Sequence, residues 1–237
     1  RTKKFLCKNG VARTQRMYLA GALHSKKLLD KFYFSWLNHN KWDYNNHKGD
    51  AFSIYNYGET NKEYLSSFIE FIKNEPYILD ITSEQARDSR MNQIYINTRL
   101  YNSSYASLVT ETIVDDYDRE ILFISEKTYQ PIYNLHPFIN VGGHRILNFL
   151  KSEGYATFPE LFDESYDDIK DCSSRLKKII AEVEKFCNTD SKVLDDIYSS
   201  KTFRDKLIHN LTNFRKKKGK QDAIKYVNWL KEYKTFI

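Results

Sequence analysis

The chain has 237 residues, with 37 Lys and Arg against 31 Asp and Glu, a net charge of +6, and 41% hydrophobic and 15% aromatic content. That composition buries a sizeable core and sets disorder aside, while the modest basic excess favours anionic partners such as phosphates, nucleic acid or a membrane surface. No apolar run approaches the roughly 18 residues of a bilayer span, the basic start lacks the apolar stretch of a signal peptide, and Cys7, Cys172 and Cys187 are too scattered for a disulfide framework or zinc knuckle. A reducing, cytoplasmic setting with no membrane span is the expectation, and the start at Arg1 rather than Met points to a piece of a longer chain.

Residues 4–8 read as a short buried strand that Asn9 and Gly10 break. Helical spacing follows over 14–32, with Met17, Leu23, Leu28 and Leu29 inward. Residues 32–37 fit a second strand, and 38–50 form an Asn-, His- and Lys-rich loop without periodicity. Helical spacing returns over 61–74 through Leu65, Phe68, Ile69 and Ile72, and Pro76 stops it. Residues 94–100 fit a strand or a helix end.

Strands are then expected at 107–112 and 121–124, with a helix beginning near Thr128. Pro131 is tolerated best among the first helical residues, so Thr128 is the expected N-cap, and Glu126 and Lys127 fall on the loop that enters the helix. Residues 137–141 are apolar apart from Asn140, as in a central parallel strand, and 144–153 read as a helix with Gly154 as its stop. Three amphipathic helices, at 173–187, 202–214 and 221–233, close the chain. Strands alternating with helices predict an α/β fold, a Rossmann-like three-layer parallel sheet over residues 1–165, with 166–237 as a helical C-terminal extension packed on it.

In such a sheet, ligands sit beyond the carboxyl ends of the strands. Asn9, Arg13, Glu111, Glu126, Lys127, Gly142 and Gly143 fall just after the expected strands, and Arg16 lies at the start of the first helix. A cation for a diphosphate, a carboxylate for hydroxyls and a glycine for close backbone approach would converge there. Arg13 and Arg16, three apart at a helix start, would share a face near its positive end, an unfavourable place for cations without an anion. Glu111 ends an apolar strand and is the candidate catalytic carboxylate, paired with a base or bonded to a ligand. Asp115, Asp116 and Asp118 have the Asp-x-Asp spacing of a divalent-metal site, but acidic doublets are ordinary loop composition and no metal is assigned. His136 and His144 flank the 137–141 strand as structural residues. Asp163, Glu164, Asp167 and Asp168 read as a lid partner or a solvated helix start.

The run Phe123-Ile-Ser-Glu126-Lys127-Thr, preceded by the strand ending at Glu111 and followed by Pro137-Phe-Ile-Asn-Val-Gly142, resembles the donor-binding C-terminal half of fucosyltransferase-like GT-B glycosyltransferases of viral or bacterial type. That family carries an aromatic-x-Thr-Glu-Lys run followed by a Gly-x-x-Pro-Val strand, and the opening with Asn9, Arg13 and Arg16 is similar to the start of the same half. The resemblance implies that Glu126 holds the donor ribose or sugar, that Lys127 holds the phosphates, and that Phe123 takes the place of a tyrosine near the donor. It also places the family's general base in the other half of the enzyme. Ser125 departs from the usual threonine, Asn134-Leu-His from the glycine before the proline strand, and Glu111-Thr-Ile from Glu-Asn-Ser.

The expected activity is transfer of a sugar from a nucleoside diphosphate sugar to an acceptor hydroxyl, on a glycan or a modified nucleobase. No cofactor is expected beyond the nucleotide sugar itself, because Arg13, Arg16 and Lys127 would stabilise the departing diphosphate. The alternative is a non-catalytic module that binds nucleic acid or carbohydrate through a basic, aromatic surface. Neither G-x-x-x-x-G-K-[ST] nor G-x-G-x-x-G occurs, which argues against an NTPase or a dehydrogenase.

Overall fold

A computed structural model describes residues 1–37, 63–79, 97–114 and 122–217. The expected loop at 38–50, the Asp115, Asp116 and Asp118 cluster and the helix at 221–233 lie outside the described residues. In chain order the elements are β1 (Lys3–Asn9), α1 (Thr14–Ser25), β2 (Phe32–Trp36), α2 (Leu65–Ile72), α3 (Thr98–Ser103), β3 (Ser104–Thr110), α4 (Glu126–Tyr133), β4 (Phe138–Val141), α5 (Ile146–Ser152), α6 (Cys172–Asn188), α7 (Ser191–Ser199) and α8 (Lys201–Lys217). Single 3-10 turns cover Leu29–Lys31 and Glu164–Asp168.

The strands form one all-parallel sheet in the order β2-β1-β3-β4. Phe5 is in register with Phe32 and Ala106, and Ser107 with Phe138, so Phe5 and Phe138 point to opposite faces. On the Phe5 face, the Phe186 ring of α6 lies 4.8 Å away and Phe162 6.2 Å away, and α1 lies beside α6. On the other face, Asn140 donates to Thr128 of α4, and Tyr129 of α4 meets Phe214 of α8 at 5.5 Å. Right-handed crossovers demand this arrangement: β1 to β2 and β3 to β4 step outward in opposite directions, so α1 and α4 must cover opposite faces. The architecture is three-layer α/β and compatible with a Rossmann-like fold.

Several boundaries differ from expectation. The first helix stops at Ser25, and the chain turns through Lys27 at φ 54° before β2. β3 begins at Ser104 and ends at Thr110, so Glu111 follows the strand. Residues 122–125 are not a strand, and α4 begins one turn early, with Ser125 rather than Thr128 as N-cap. Pro131 therefore lies inside α4, where it forgoes one backbone bond. The ambiguous 94–100 stretch contributes its last residues to α3, which Asn97 caps. α7 was not expected. Among the described residues, no helix is long and apolar enough to cross a membrane.

Candidate functional site at the carboxyl edge of the sheet

The chain leaves β1 toward β2 on one side and continues through β3 toward β4 on the other. The carboxyl ends of β1 and β3 therefore flank the point where strand order reverses, where an open sheet forms a crevice.

From the β1 side, a short loop leads into α1, whose N-cap is Arg13 in extended conformation. The Arg13 side chain makes no capping bond, and the first turn holds no acid, so the positive end of α1 carries no anion from its own sequence. Arg13 is exposed and Arg16 is buried at 3% exposure. They do not share a face as expected, because helical spacing does not apply across an extended N-cap. Arg16 reaches back to the Val11 and Thr110 carbonyls, both at 2.9 Å, and its Nε has no hydrogen-bond partner among the described residues. Burial lowers its pKa to about 10. Asn9 is also inside, with Oδ1 accepting from Thr110 Oγ1 at 2.7 Å and Nδ2 donating to Cys7 Sγ at 3.3 Å, and so it laces β1 to β3. Cys7 is pushed up to about 12 by burial.

From the β3 side, Glu111 is fully buried. Its Oε1 accepts from the Ser125 amide at 3.0 Å and from Thr128 Oγ1 at 2.6 Å, and its Oε2 accepts from Ser125 Oγ at 2.5 Å. Thr128 in turn accepts from Asn140 Nδ2 of β4 at 2.8 Å. The carboxylate thus sits against the N-terminus of α4, where both the free N–H groups and the helix dipole favour it. On its far side, the Glu111 carbonyl accepts from Gln15 Nε2 of α1 at 2.8 Å.

Glu126 and Lys127 occupy the first turn of α4 rather than a loop. Lys127 Nζ lies 2.7 Å from Glu126 Oε1 and 3.2 Å from Ser125 Oγ, and both side chains are partly exposed. Lys127 also lines a small pocket with Lys8, Thr110, Gln130 and Pro131. Phe123 is half-buried in the segment that enters α4. Gly142, just past β4, is buried, and a Cβ there would stand 2.5 Å from Asn140 Oδ1 and 2.6 Å from Ile146 Cδ1. A side chain at that position would require the Asn140 and Ile146 side chains to shift.

No family model, curated protein or solved structure matches this chain. The resemblance to fucosyltransferase-like enzymes rests on the quoted sequence runs alone.

The geometry of the site divides the anticipated set. Arg13, Glu126 and Lys127 reach the surface at two helix N-termini, while Asn9, Arg16, Glu111 and Gly142 form the frame beneath them. The acidic run after Phe158 is not a lid: Asp163 caps the 3-10 turn and pairs with Lys178 at 2.7 Å, and Asp167 accepts from the Leu147 and Asn148 amides at the start of α5. Glu164 accepts from Thr157 and from the Phe158 amide. Among the described residues, no group of three or more His, Cys, Asp or Glu side chains could hold a metal ion.

Gln15, Ser125 and Thr128 were not anticipated as site residues. Only Ser125 carried a readable signal, a hydroxyl immediately before an acid in a first helical turn. Gln15 and the Asn140–Thr128 link depend on tertiary partners many residues away.

Proposed function

We propose that this chain is the donor-binding half of a GT-B-type glycosyltransferase, holding a nucleoside diphosphate sugar at the carboxyl ends of β1 and β3 for transfer to an acceptor hydroxyl. The observation that carries this reading is the N-terminus of α1. Its N-cap side chain makes no capping bond and its first turn holds no acid, it opens at the strand-order reversal, and it has Arg13 exposed and Arg16 buried without an ion-pair partner among the described residues. A cation at the positive end of a helix is unfavourable unless an anion joins it, and a diphosphate would pair with the exposed Arg13 guanidinium there. Lys127 at the second N-terminus would hold the same diphosphate, and Glu126 would accept from sugar or ribose hydroxyls. Catalysis would consist chiefly of stabilising charge on the leaving diphosphate.

Calorimetric titration with UDP, GDP, CDP, ADP and dTDP, each with and without manganese, tests it. One nucleotide should bind selectively without metal, and Arg13→Ala should weaken it by roughly ten-fold or more, the size of a lost charge-assisted bond. If no nucleotide binds, the transferase reading falls, and steeply salt-dependent binding to nucleic acid would replace it.

A further inference from the structure

Residues 110–112 are gripped from both sides. Arg16 and Gln15 of α1 hold the carbonyls of Thr110, Glu111 and Thr112, while the Glu111 side chain takes three donors from the start of α4. We infer that Glu111 is a positioning residue: it fixes the N-terminus of α4, and with it Lys127, relative to the anion site at α1, and it exchanges no proton with substrate. This rests on the donor-site reading above.

The geometry supports the assignment in three ways. Both carboxylate oxygens are already engaged and the residue is fully buried, so neither oxygen faces an incoming ligand. The bonded atoms, the Ser125 amide and hydroxyl and the Thr128 hydroxyl, lie within the N-cap and first turn that carry Lys127. Ser125 Oγ also accepts from the Lys127 amide and lies 3.2 Å from Lys127 Nζ, so the carboxylate acts on the lysine through one intervening hydroxyl. The α1 side is held through backbone carbonyls, which a change of the Glu111 side chain leaves in place.

The test is a set of paired substitutions read by nucleoside diphosphate affinity. In the native background, Lys127→Ala should weaken binding by about ten-fold. In a Glu111→Ala background that factor should shrink to less than about two-fold, because the lysine is no longer presented, while the Arg13→Ala factor stays unchanged. Glu111→Gln should restore the Lys127 factor only in part: its oxygen accepts from Ser125 N–H and Thr128, but its amide would compete with the Lys127 amide and Nζ for the two lone pairs of the Ser125 hydroxyl. A Lys127 factor that is the same in all three backgrounds overturns the inference.

Should Glu111→Ala fail to fold, Thr128→Val removes one of the three donors and should shrink the factor in the same direction. Should the native chain bind no nucleotide, the transferase reading is lost, but amide exchange still decides the positioning claim. Exchange at residues 125–128 should accelerate in Glu111→Ala with α1 unchanged, and unaltered exchange there overturns it.

Discussion

His136 shows how one buried side chain sets a pH response. It lies at 3% exposure just before β4, with Nε2 3.0 Å from the Ser104 carbonyl and Nδ1 2.8 Å from Ser107 Oγ. Nε2 must carry the proton it donates to a carbonyl, so Nδ1 accepts from the Ser107 hydroxyl and the neutral ring is fully satisfied. Burial lowers its pKa to about 4. Because the folded value lies below the unfolded one of about 6.5, the unfolded chain takes up the proton first as pH falls. The contribution is complete above about pH 6.5 and is lost progressively between there and about pH 4, amounting to about 3 kcal/mol at most. Urea midpoints at pH 7.5 and pH 5 should therefore differ more in the native chain than in His136→Gln, which keeps hydrogen-bonding groups without a titrating ring. Equal differences in the two proteins would show that His136 is not responsible.

At the scale of elements, α1 is pressed against α2 so closely that helix propensity is overruled. A Cβ on Gly21 would stand 2.6 Å from the Tyr64 carbonyl oxygen and 3.1 Å from Phe68 Cβ, at the start of α2 and within it. In an exposed helix, Gly→Ala stabilises by about 1 kcal/mol. Here the methyl group meets backbone that cannot rotate away, so Gly21→Ala should destabilise by about 1–3 kcal/mol, the usual cost of overpacking. Thermal denaturation checks the sign, and a raised midpoint would mean that α2 moves off α1 without cost.

The elements readable in the sequence are those with unbroken patterns. β1, β2 and β4 are apolar runs bounded by breakers, α6 has strong helical periodicity, and Gly154 sits at φ 80° after α5 as a glycine stop requires. α7 escaped because its nine residues bury only Leu194 and Tyr198. The apolar residues before Ser125 mimicked a strand, but the cap that Glu111 supplies turns the chain into α4 first. The same limit applied at the site. The rule for parallel sheets located Arg13 beyond β1, whereas the strand expected before Glu126 and Lys127 is not there, and the burial of Arg16 and Glu111 was set by packing partners that no local pattern reveals.

For the whole molecule, the decisive question is whether the C-terminal helices merely lean on the sheet or complete its core. Phe5, in the central strand β1, is fully buried among Phe32 at 5.1 Å, Phe162 at 6.2 Å and Phe186 at 4.8 Å, so a residue of α6 is among its nearest ring neighbours. Arg175 of α6, buried, also donates to the carbonyls of Val114, Ile169 and Lys170, fixing the segment that leaves β3. Tyr198 of α7 donates to the Tyr105 carbonyl in β3. The Phe186 ring packs directly on Phe5, so removing it leaves a cavity on β1. Phe186→Ala should cost about 3–5 kcal/mol, the range for an aromatic deletion in a well-packed core. If sheet and helices form one cooperative unit, the loss must appear equally in the urea midpoint followed by far-UV ellipticity and in the amide exchange of β1. Exchange in β1 that stays at its native rate while α6 to α8 exchange faster would divide the chain near residue 165 into two separately stable parts.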